Sequence, residues 1–416
     1  MADFRSPTGT HDVLAPESTR WRNLVVHFGR TVGLAGYGLV VSPMFEEVGV
    51  FERLGEGTDV VGKEMYDFRD KGDRHLALRP EGTASVVRAW VQHRPPLPFK
   101  AWYVAPNFRY ERAQAGRFRQ HHQAGVEALG PTDADLDVEV VALAVSVVGG
   151  LGLTNVELLL NSLGDDMCRP GYTATLASFL DGRRDQLCHE HRARALDNPL
   201  RVLDCKRETC RTATADAPRS IDHLCDACRA HFARVRAGLD ALGVGYTIET
   251  RLVRGLDYYT RTTFELAARE LTSAQNAVGG GGRYDGLAEA LGGPPTPGIG
   301  FGLGVERLLL ACDAEGVFPA PTATVDVFVV DTTGGHEALG LTHELRRAGI
   351  AADRAFDARS MKAQFKAADR SGAPLALVVG EREQAEATVT VRDLTSGDQE
   401  TVGRRDVVAH VKKVLT

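Results

Sequence analysis

Two runs rich in aromatic and β-branched residues, KAWYVAPNFRYE (100–111) and RFRQHHQAGVEALG (117–130), are separated only by RAQAG. Such residues favour strands, and a short glycine-containing connection between two strands reverses the chain, so the pair predicts an antiparallel hairpin. The turn is also charged: from Arg109 to Arg119 it carries four arginines against one glutamate. Arginine keeps its charge near neutrality and grips phosphate oxygens in pairs with a planar fork of donors. On adjacent strands such side chains would face one cleft; the plainer reading is a solvated basic face. The net charge of −6 argues against a protein that coats nucleic acid non-specifically, but leaves room for a local basic site.

The rest of the first half alternates amphipathic helices with short strands. Residues 19–38 have apolar residues at helical spacing and a glycine stop. LVVSPMFEEVGVF follows, with Pro43 interrupting a strand pattern, and HLALRP (75–80) reads as another strand. The apolar run 140–153 contains three glycines and is too short to span a bilayer; it predicts a buried helix ending at Gly149 and Gly150. Residues from about 165 to 248 are helical and charged, hold six of the seven cysteines, and look like an insertion. After a Pro- and Thr-rich linker (319–326), strand and helix patterns alternate over about ninety residues, as in a small α/β domain. The N-terminus has no apolar core of a signal peptide, and a soluble, cytoplasmic protein is expected.

GTDVVGKE (57–64) fits the first seven positions of a phosphate-binding P-loop, but Glu64 stands where a hydroxyl must meet Mg²⁺. GGGGRYDG (279–286) lacks the strand-to-helix context of a dinucleotide fingerprint. More telling is PGIGFGLGVERLLL (297–310), a glycine-studded strand entering an apolar helix with Arg307 in its first turn. Glycines there let something flat lie close to the backbone. LRPEGT (78–83) sets the carboxylate of Glu81 beside the hydroxyl of Thr83, a cradle for an ammonium group. RLVRGLDYYTRTTFE (251–265) places Arg254, Gly255 and Asp257 inside an otherwise strand-like run, where a solvated edge strand is the plain alternative.

Together these segments resemble the three motifs of class II aminoacyl-tRNA synthetases: the stretch around Pro43, the hairpin FRYERAQAGRFRQ, and GFGLGVERLLL. Within that class, LVRGLDYYTRTTFE and GGGRYDGL resemble the two signature segments of the histidyl-tRNA synthetase family, and RPEGT, QAGVEALG, KEMYDF, LNSLGD and NPLRVLDCK agree. The resemblance runs from about residue 5 to the C-terminus. It implies an α+β fold: an antiparallel-sheet class II catalytic domain over 1–322, with a helical insertion over about 165–248, and a C-terminal α/β anticodon-binding domain over 323–416. It further implies a homodimer with the Pro43 segment at the interface, ATP as substrate with Mg²⁺ bridging its phosphates, L-histidine, and tRNA(His).

The resemblance also assigns roles. Arg109 would hold the α-phosphate, Glu111 and Arg117 would place the nucleotide, and Arg307 would stack over adenine. Arg254 would face the reacting carboxylate and α-phosphate, where fixed donors stabilise developing charge. Glu81 and Thr83 would bind the α-amino group; Glu127 and Tyr259 would partner the imidazole, with Gln123, Tyr258 and Tyr284 around it. Gln114 would approach the acceptor end of the tRNA and the extra 5′ guanosine of histidine tRNA. His121 departs from the family's phenylalanine under the adenine; imidazole also stacks, but it is smaller and titratable. No metal is needed to select histidine.

Cys188, His191, Cys205, Cys210, Cys225 and Cys228 have C-x-x-H and C-x-x-C spacings that suit tetrahedral Zn²⁺; buried thiols without a metal are the alternative. One other activity class shares the fold: a synthetase-like regulatory subunit of ATP phosphoribosyltransferase, without catalysis and without the anticodon domain. Retention of Arg109, Arg254 and Arg307 and the C-terminal domain argues against it.

Overall fold

The structure is a computed structural model that describes residues 4–53, 60–253, 258–271, 276–323, 325–357 and 359–415. The chain divides into two compact units, one built on Trp21–Pro319 and the other on Ala320–Thr416.

The larger unit is organised by an eight-stranded sheet. Its strands are β1 (Gly38–Leu39), β5 (Phe99–Phe108), β6 (Gln120–Leu129), β7 (Val156–Ser162), β8 (Thr247–Ile248), β9 (Thr260–Ala268), β10 (Ala277–Arg283) and β11 (Gly298–Gly304). A satellite sheet of β2 (Phe45–Glu47), β3 (Tyr66–Arg69) and β4 (His75–Leu78) is antiparallel. Across the large sheet the order is β1-β5-β6-β11-β10-β9-β7-β8, antiparallel except at its two outer pairs. The β5–β6 hairpin is present, in register from Phe99 opposite Leu129 to Phe108 opposite Gln120. Its arms are shorter than the sequence pattern suggests. Regular pairing stops at Phe108, and Arg109 to Arg119 form a loop pinned by the Arg109 N–H donating to the Arg119 carbonyl (2.8 Å). The hairpin arginines therefore project from a loop rather than from strands.

One face of the sheet is covered by the helices Glu17–Gly33, Ala134–Gly150 and Asp226–Ala241. Leu24, Phe28, Val141, Val148, Phe232 and Leu239 interleave there with Val126, Phe264 and Phe301 from the strands. Asp133 starts the Ala134–Gly150 helix by accepting the Asp135 N–H, satisfying one of its free first-turn donors. The segment between β7 and β8 is helical. Its helices Arg169–Asp181, Pro199–Leu203 and Glu208–Ala213 share a small core of their own around Tyr172, Leu176, Val202 and Cys210, while its last helix, Asp226–Ala241, belongs to the main core.

The smaller unit is a five-stranded sheet: β12 (Val327–Asp331), β13 (Ala352–Arg354), β14 (Leu375–Val379), β15 (Thr388–Asp393) and β16 (Gln399–Gly403), in the order β13-β12-β14-β15-β16. β12, β13 and β14 are parallel, joined through the helices His336–Arg347 and Met361–Ser371, and β15 and β16 continue antiparallel. The sequence pattern anticipates the alternation of strands and helices as far as β15; the helices Glu381–Glu386 and Val407–Leu415 and β16 are additions to it.

Candidate active site

The middle of the large sheet is nearly bare of side chains. β10 contributes Gly279 to Gly282, and β11 faces it with Gly298, Gly300, Gly302 and Gly304. Larger neighbours rise around this floor and leave two cavities that share Arg109, Gln123 and Gly302.

The larger cavity has a volume of about 270 Å³ and is lined by Arg109, Glu111, Arg117, His121, Arg307 and Gln123, together with Glu265 and Glu306. Arg109 is braced by donating from Nε to the Pro80 carbonyl (2.8 Å). Arg117 is ion-paired to Glu111. Arg307 donates to the carbonyls of Gly116 (3.1 Å) and Ala277 (2.8 Å), tying the loop to the helix Val305–Glu315 across the cavity mouth. Glu306, beside it, accepts from the His122 backbone N–H (3.0 Å) and meets the His122 ring at 2.8 Å. Burial, then the neighbouring Arg109 and Arg307 charges, push His121 down to about 3, so its ring is neutral at physiological pH.

The smaller cavity, about 70 Å³, is lined by Glu81, Thr83, Gln123, Tyr258, Tyr259 and Tyr284, and by Tyr103. Beneath its lining lies Glu127, fully buried. The Thr83 hydroxyl (2.7 Å) and the Tyr103 hydroxyl (3.3 Å) donate to Oε1, and the Tyr284 hydroxyl donates to Oε2. Burial raises Glu127 to about 8 against the pull of those hydrogen bonds. Glu81 is raised by burial as well, and its carboxylate accepts the backbone N–H groups of Thr83 and Ala84 (2.7 Å each) at the start of the helix Thr83–His93. Gln123 is oriented by the Asn107 side-chain amide, which donates to its Oε1 (2.7 Å). The rings of Tyr258 and Tyr259 lie 4.6 Å apart, and Tyr258 meets Tyr284 edge-on at 5.8 Å.

Most residues singled out from the sequence thus converge on one double cavity. Gln114 stands on the exposed loop, bridged to Arg117 through backbone hydrogen bonds. Arg254, with Gly255 and Asp257, lies outside the described residues. The other two arginines of RLVRGLDYYTRTTFE are structural: Arg251 ties the segment to Thr214 (2.7 Å) and the Leu203 carbonyl, and Arg261 pairs with Asp165 (3.2 Å). Sequence reasoning missed Tyr103, Asn107, Glu265 and Glu306. A signal for Tyr103 existed: it faces Gly125 across the hairpin, where a Cβ would fall 2.5 Å from its ring. A tyrosine opposite a glycine on a paired strand marks a ring lying over the neighbouring backbone.

The zinc candidates separate into two groups. Cys188, His191, Cys205 and Cys210 converge with all ligand atoms within 4.8 Å of one another, and Cys188 Sγ lies 3.2 Å from His191 Nδ1. Cys225 and Cys228 lie elsewhere, with Asp165 and Cys168. None of the seven cysteines forms a disulfide.

Comparison with known proteins identifies the family. A family model described as histidyl-tRNA synthetase matches residues 9–308, and one described as an anticodon binding domain matches residues 324–414. A histidine–tRNA ligase of Rhodococcus opacus is 51% identical, covering 99% of this chain and 98% of its own. One from Halothermothrix orenii is 44% identical over 99% of this chain and all of its own. The crystal structure of apo histidyl-tRNA synthetase from S. aureus superposes with a TM-score of 0.82 at 35% identity, covering 99% and 100% of the two chains. A Bacillus halodurans protein titled as an ATP phosphoribosyltransferase regulatory subunit/histidyl-tRNA synthetase shares the fold at 20% identity, with a TM-score of 0.63. The extent of these matches leaves the regulatory reading unfavoured: the chain belongs to the histidyl-tRNA synthetase family, and it is a histidine–tRNA ligase.

Proposed function

We propose that the larger cavity holds ATP and the smaller one histidine, so that the shared Arg109 stands where a histidine carboxylate oxygen attacks the α-phosphorus, the bond to the β-phosphate breaks and pyrophosphate leaves. The observation that carries this reading is the shared wall: a phosphate-gripping arginine and Gln123 belong to both cavities. Arg109, already braced by Pro80, meets the α-phosphate without reorganisation, and Arg254 adds a second fixed charge there by family resemblance. Glu111 and Arg117 place the nucleotide. Arg307 and the neutral ring of His121 provide two flat faces for adenine. Mg²⁺ accompanies ATP and neutralises its phosphate charge, and the oxygen ligands of Glu111 and Glu265 on the cavity wall suit that hard ion.

In the smaller cavity the Thr83 hydroxyl oxygen accepts from the substrate ammonium, beside Glu81. Glu127 accepts an imidazole N–H, with Tyr259 partnering the other ring nitrogen and Gln123, Tyr258 and Tyr284 closing around it. A pocket built on such hydrogen bonds rejects analogues lacking them by roughly 10⁴-fold without editing. The Gln114 loop then meets the acceptor end of tRNA(His), including the 5′ guanosine, and the second unit meets the anticodon. Cys188, His191, Cys205 and Cys210 hold a structural Zn²⁺ within the insertion.

The domain division proposed is a catalytic domain over 1–322, with its insertion over about 165–248, and an anticodon-binding domain over 323–416. The working form is a cytoplasmic homodimer. Around Pro43, Leu39 (58%), Val41 (86%), Met44 (51%) and Phe45 (51%) are exposed, an apolar strip that a second copy would cover. Val41→Asp is expected to shift the sedimenting species from dimer to monomer; an unchanged dimer would place the interface elsewhere.

The adenylation reading is tested by ATP–pyrophosphate exchange without tRNA, with each of the twenty amino acids separately. Exchange with histidine alone is expected, and exchange with none, from folded protein that binds ATP, would overturn it.

A further inference from the structure

Among the described residues, a second cluster of metal-binding side chains that the proposed function leaves unused lies where the insertion joins the sheet. Asp165 and Cys168 follow the end of β7, just before the helix Arg169–Asp181 that opens the insertion. Cys225 and Cys228 stand at the start of the helix Asp226–Ala241 that closes it. Each pair is spaced i, i+3 on a tight turn, which presents both side chains in one direction. The fold sets the two pairs against each other: Cys168 Sγ is 3.5 Å and Cys225 Sγ 3.9 Å from Asp165 Oδ1, and the four ligand atoms lie within 4.8 Å of one another.

We infer that Asp165, Cys168, Cys225 and Cys228 form a metal centre for Zn²⁺, distinct from the Cys188 cluster, that staples the two ends of the insertion together. Zinc bound at about 2.3 Å by thiolates in a tetrahedron requires ligand-to-ligand separations of about 3.8 Å, close to those present. Three sulfurs and one carboxylate are a soft donor set that selects against Mg²⁺ and Ca²⁺. The surroundings already orient the ligands. Arg261 holds Asp165 Oδ2 (3.2 Å), the Met167 N–H donates to Asp165 Oδ1 (3.1 Å), and the Asp165 N–H points to Cys168 Sγ (3.4 Å). Such outer contacts fix ligand direction in zinc sites.

The staple also borders the histidine cavity. Arg261 exchanges backbone hydrogen bonds with the Asp165 loop, its N–H donating to the Gly164 carbonyl (2.7 Å) and its carbonyl accepting from Leu163 (2.8 Å). Arg169, the residue after Cys168, donates to the Tyr259 carbonyl (2.8 Å). The metal thus anchors the loop on which one wall of that cavity rests. This inference does not depend on the Cys188 cluster or on the adenylation reading, and its readout is metal content rather than activity.

The experiment uses the full chain expressed with zinc supplied. Native mass spectrometry is expected to find one zinc ion fewer per chain in the Cys225→Ser/Cys228→Ser variant than in the wild-type protein, and equal zinc content in the two overturns the inference. Because that variant risks misfolding, alkylation of the wild-type protein provides the second readout: peptides carrying Cys168, Cys225 and Cys228 resist iodoacetamide until a strong chelator is added. Labelling of these three without chelator, or a Cys225–Cys228 disulfide, overturns the inference, and protection of Cys188, Cys205 and Cys210 is scored separately.

Discussion

Above about pH 8, where its carboxyl is charged, Glu127→Gln is expected to lower kcat/KM for histidine in pyrophosphate exchange about 10²-fold, from the 1.5–3 kcal/mol that a hydrogen bond to a charged partner contributes. The substitution keeps the shape of a side chain that three hydroxyls surround, so the cavity wall stays in place and KM for ATP is expected to hold. What changes is the acceptor offered to the substrate ring. The sign of the pH dependence follows from the raised pKa. In the folded protein the proton stays on Glu127 up to about 8, whereas the free carboxyl loses it near 4.5. Its contribution to stability is therefore full below about 4.5 and lost as pH rises through about 8. Its acceptor function runs the other way and grows as pH passes about 8. A rise in kcat/KM for histidine over that range, absent in Glu127→Gln, is the expected profile, since this ratio reports the free enzyme. A rise that survives the substitution belongs to the substrate, and an unchanged kcat/KM would remove Glu127 from histidine recognition.

Asp137→Ala is expected to destabilise the larger unit by about 3–5 kcal/mol, the range for removing one partner of a buried ion pair. Asp137 and Arg283 are both wholly buried beneath the sheet and ion-paired, and His231 adds a third contact to Asp137 at 2.8 Å. Burial works to raise Asp137, but His231 and Arg283 together hold it below the usual carboxylate range. The stability it supplies is present above the unfolded pKa and lost on acidification through the lower folded one. Among the described residues, truncation leaves the Arg283 charge with the partly exposed Asp285 (3.2 Å) as its remaining carboxylate partner. Chemical unfolding followed on the larger unit reads the loss, and a shift below about 1 kcal/mol would mean that solvent reaches Arg283. Replacing Asp137 and Arg283 together by apolar residues is expected to cost less than Asp137→Ala alone.

Much of this architecture is legible in the chain because its signals are local. The short reversal between β5 and β6, the glycines of β10 and β11 and the arginine opening the last helix of the larger unit are each written within a dozen residues. What escapes a linear reading depends on register or topology. Tyr103 acquires its place only when β5 lies on β6 with Gly125 opposite. Glu306 and His122 meet because β11 neighbours β6. Six cysteine and histidine positions read as one candidate zinc set, yet Cys225 and Cys228 join Asp165 and Cys168, because the helix that ends the insertion returns to the strand that began it. Charge likewise carries no label of purpose: in one fifteen-residue stretch, Arg251 and Arg261 brace the backbone.

The bare floor between β10 and β11 has an evolutionary consequence. A cavity walled by side chains can be filled in gradually, one larger residue at a time, while the protein stays folded. Here, a single methyl group on Gly300, which lines the smaller cavity, would run into the backbone carbonyl of Val126 on the neighbouring strand, which cannot swing aside. Random drift at that position would pull the sheet apart before it could shrink the cavity. Loss of the chamber and loss of the fold become one event, and purging of unstable variants alone would keep the space open.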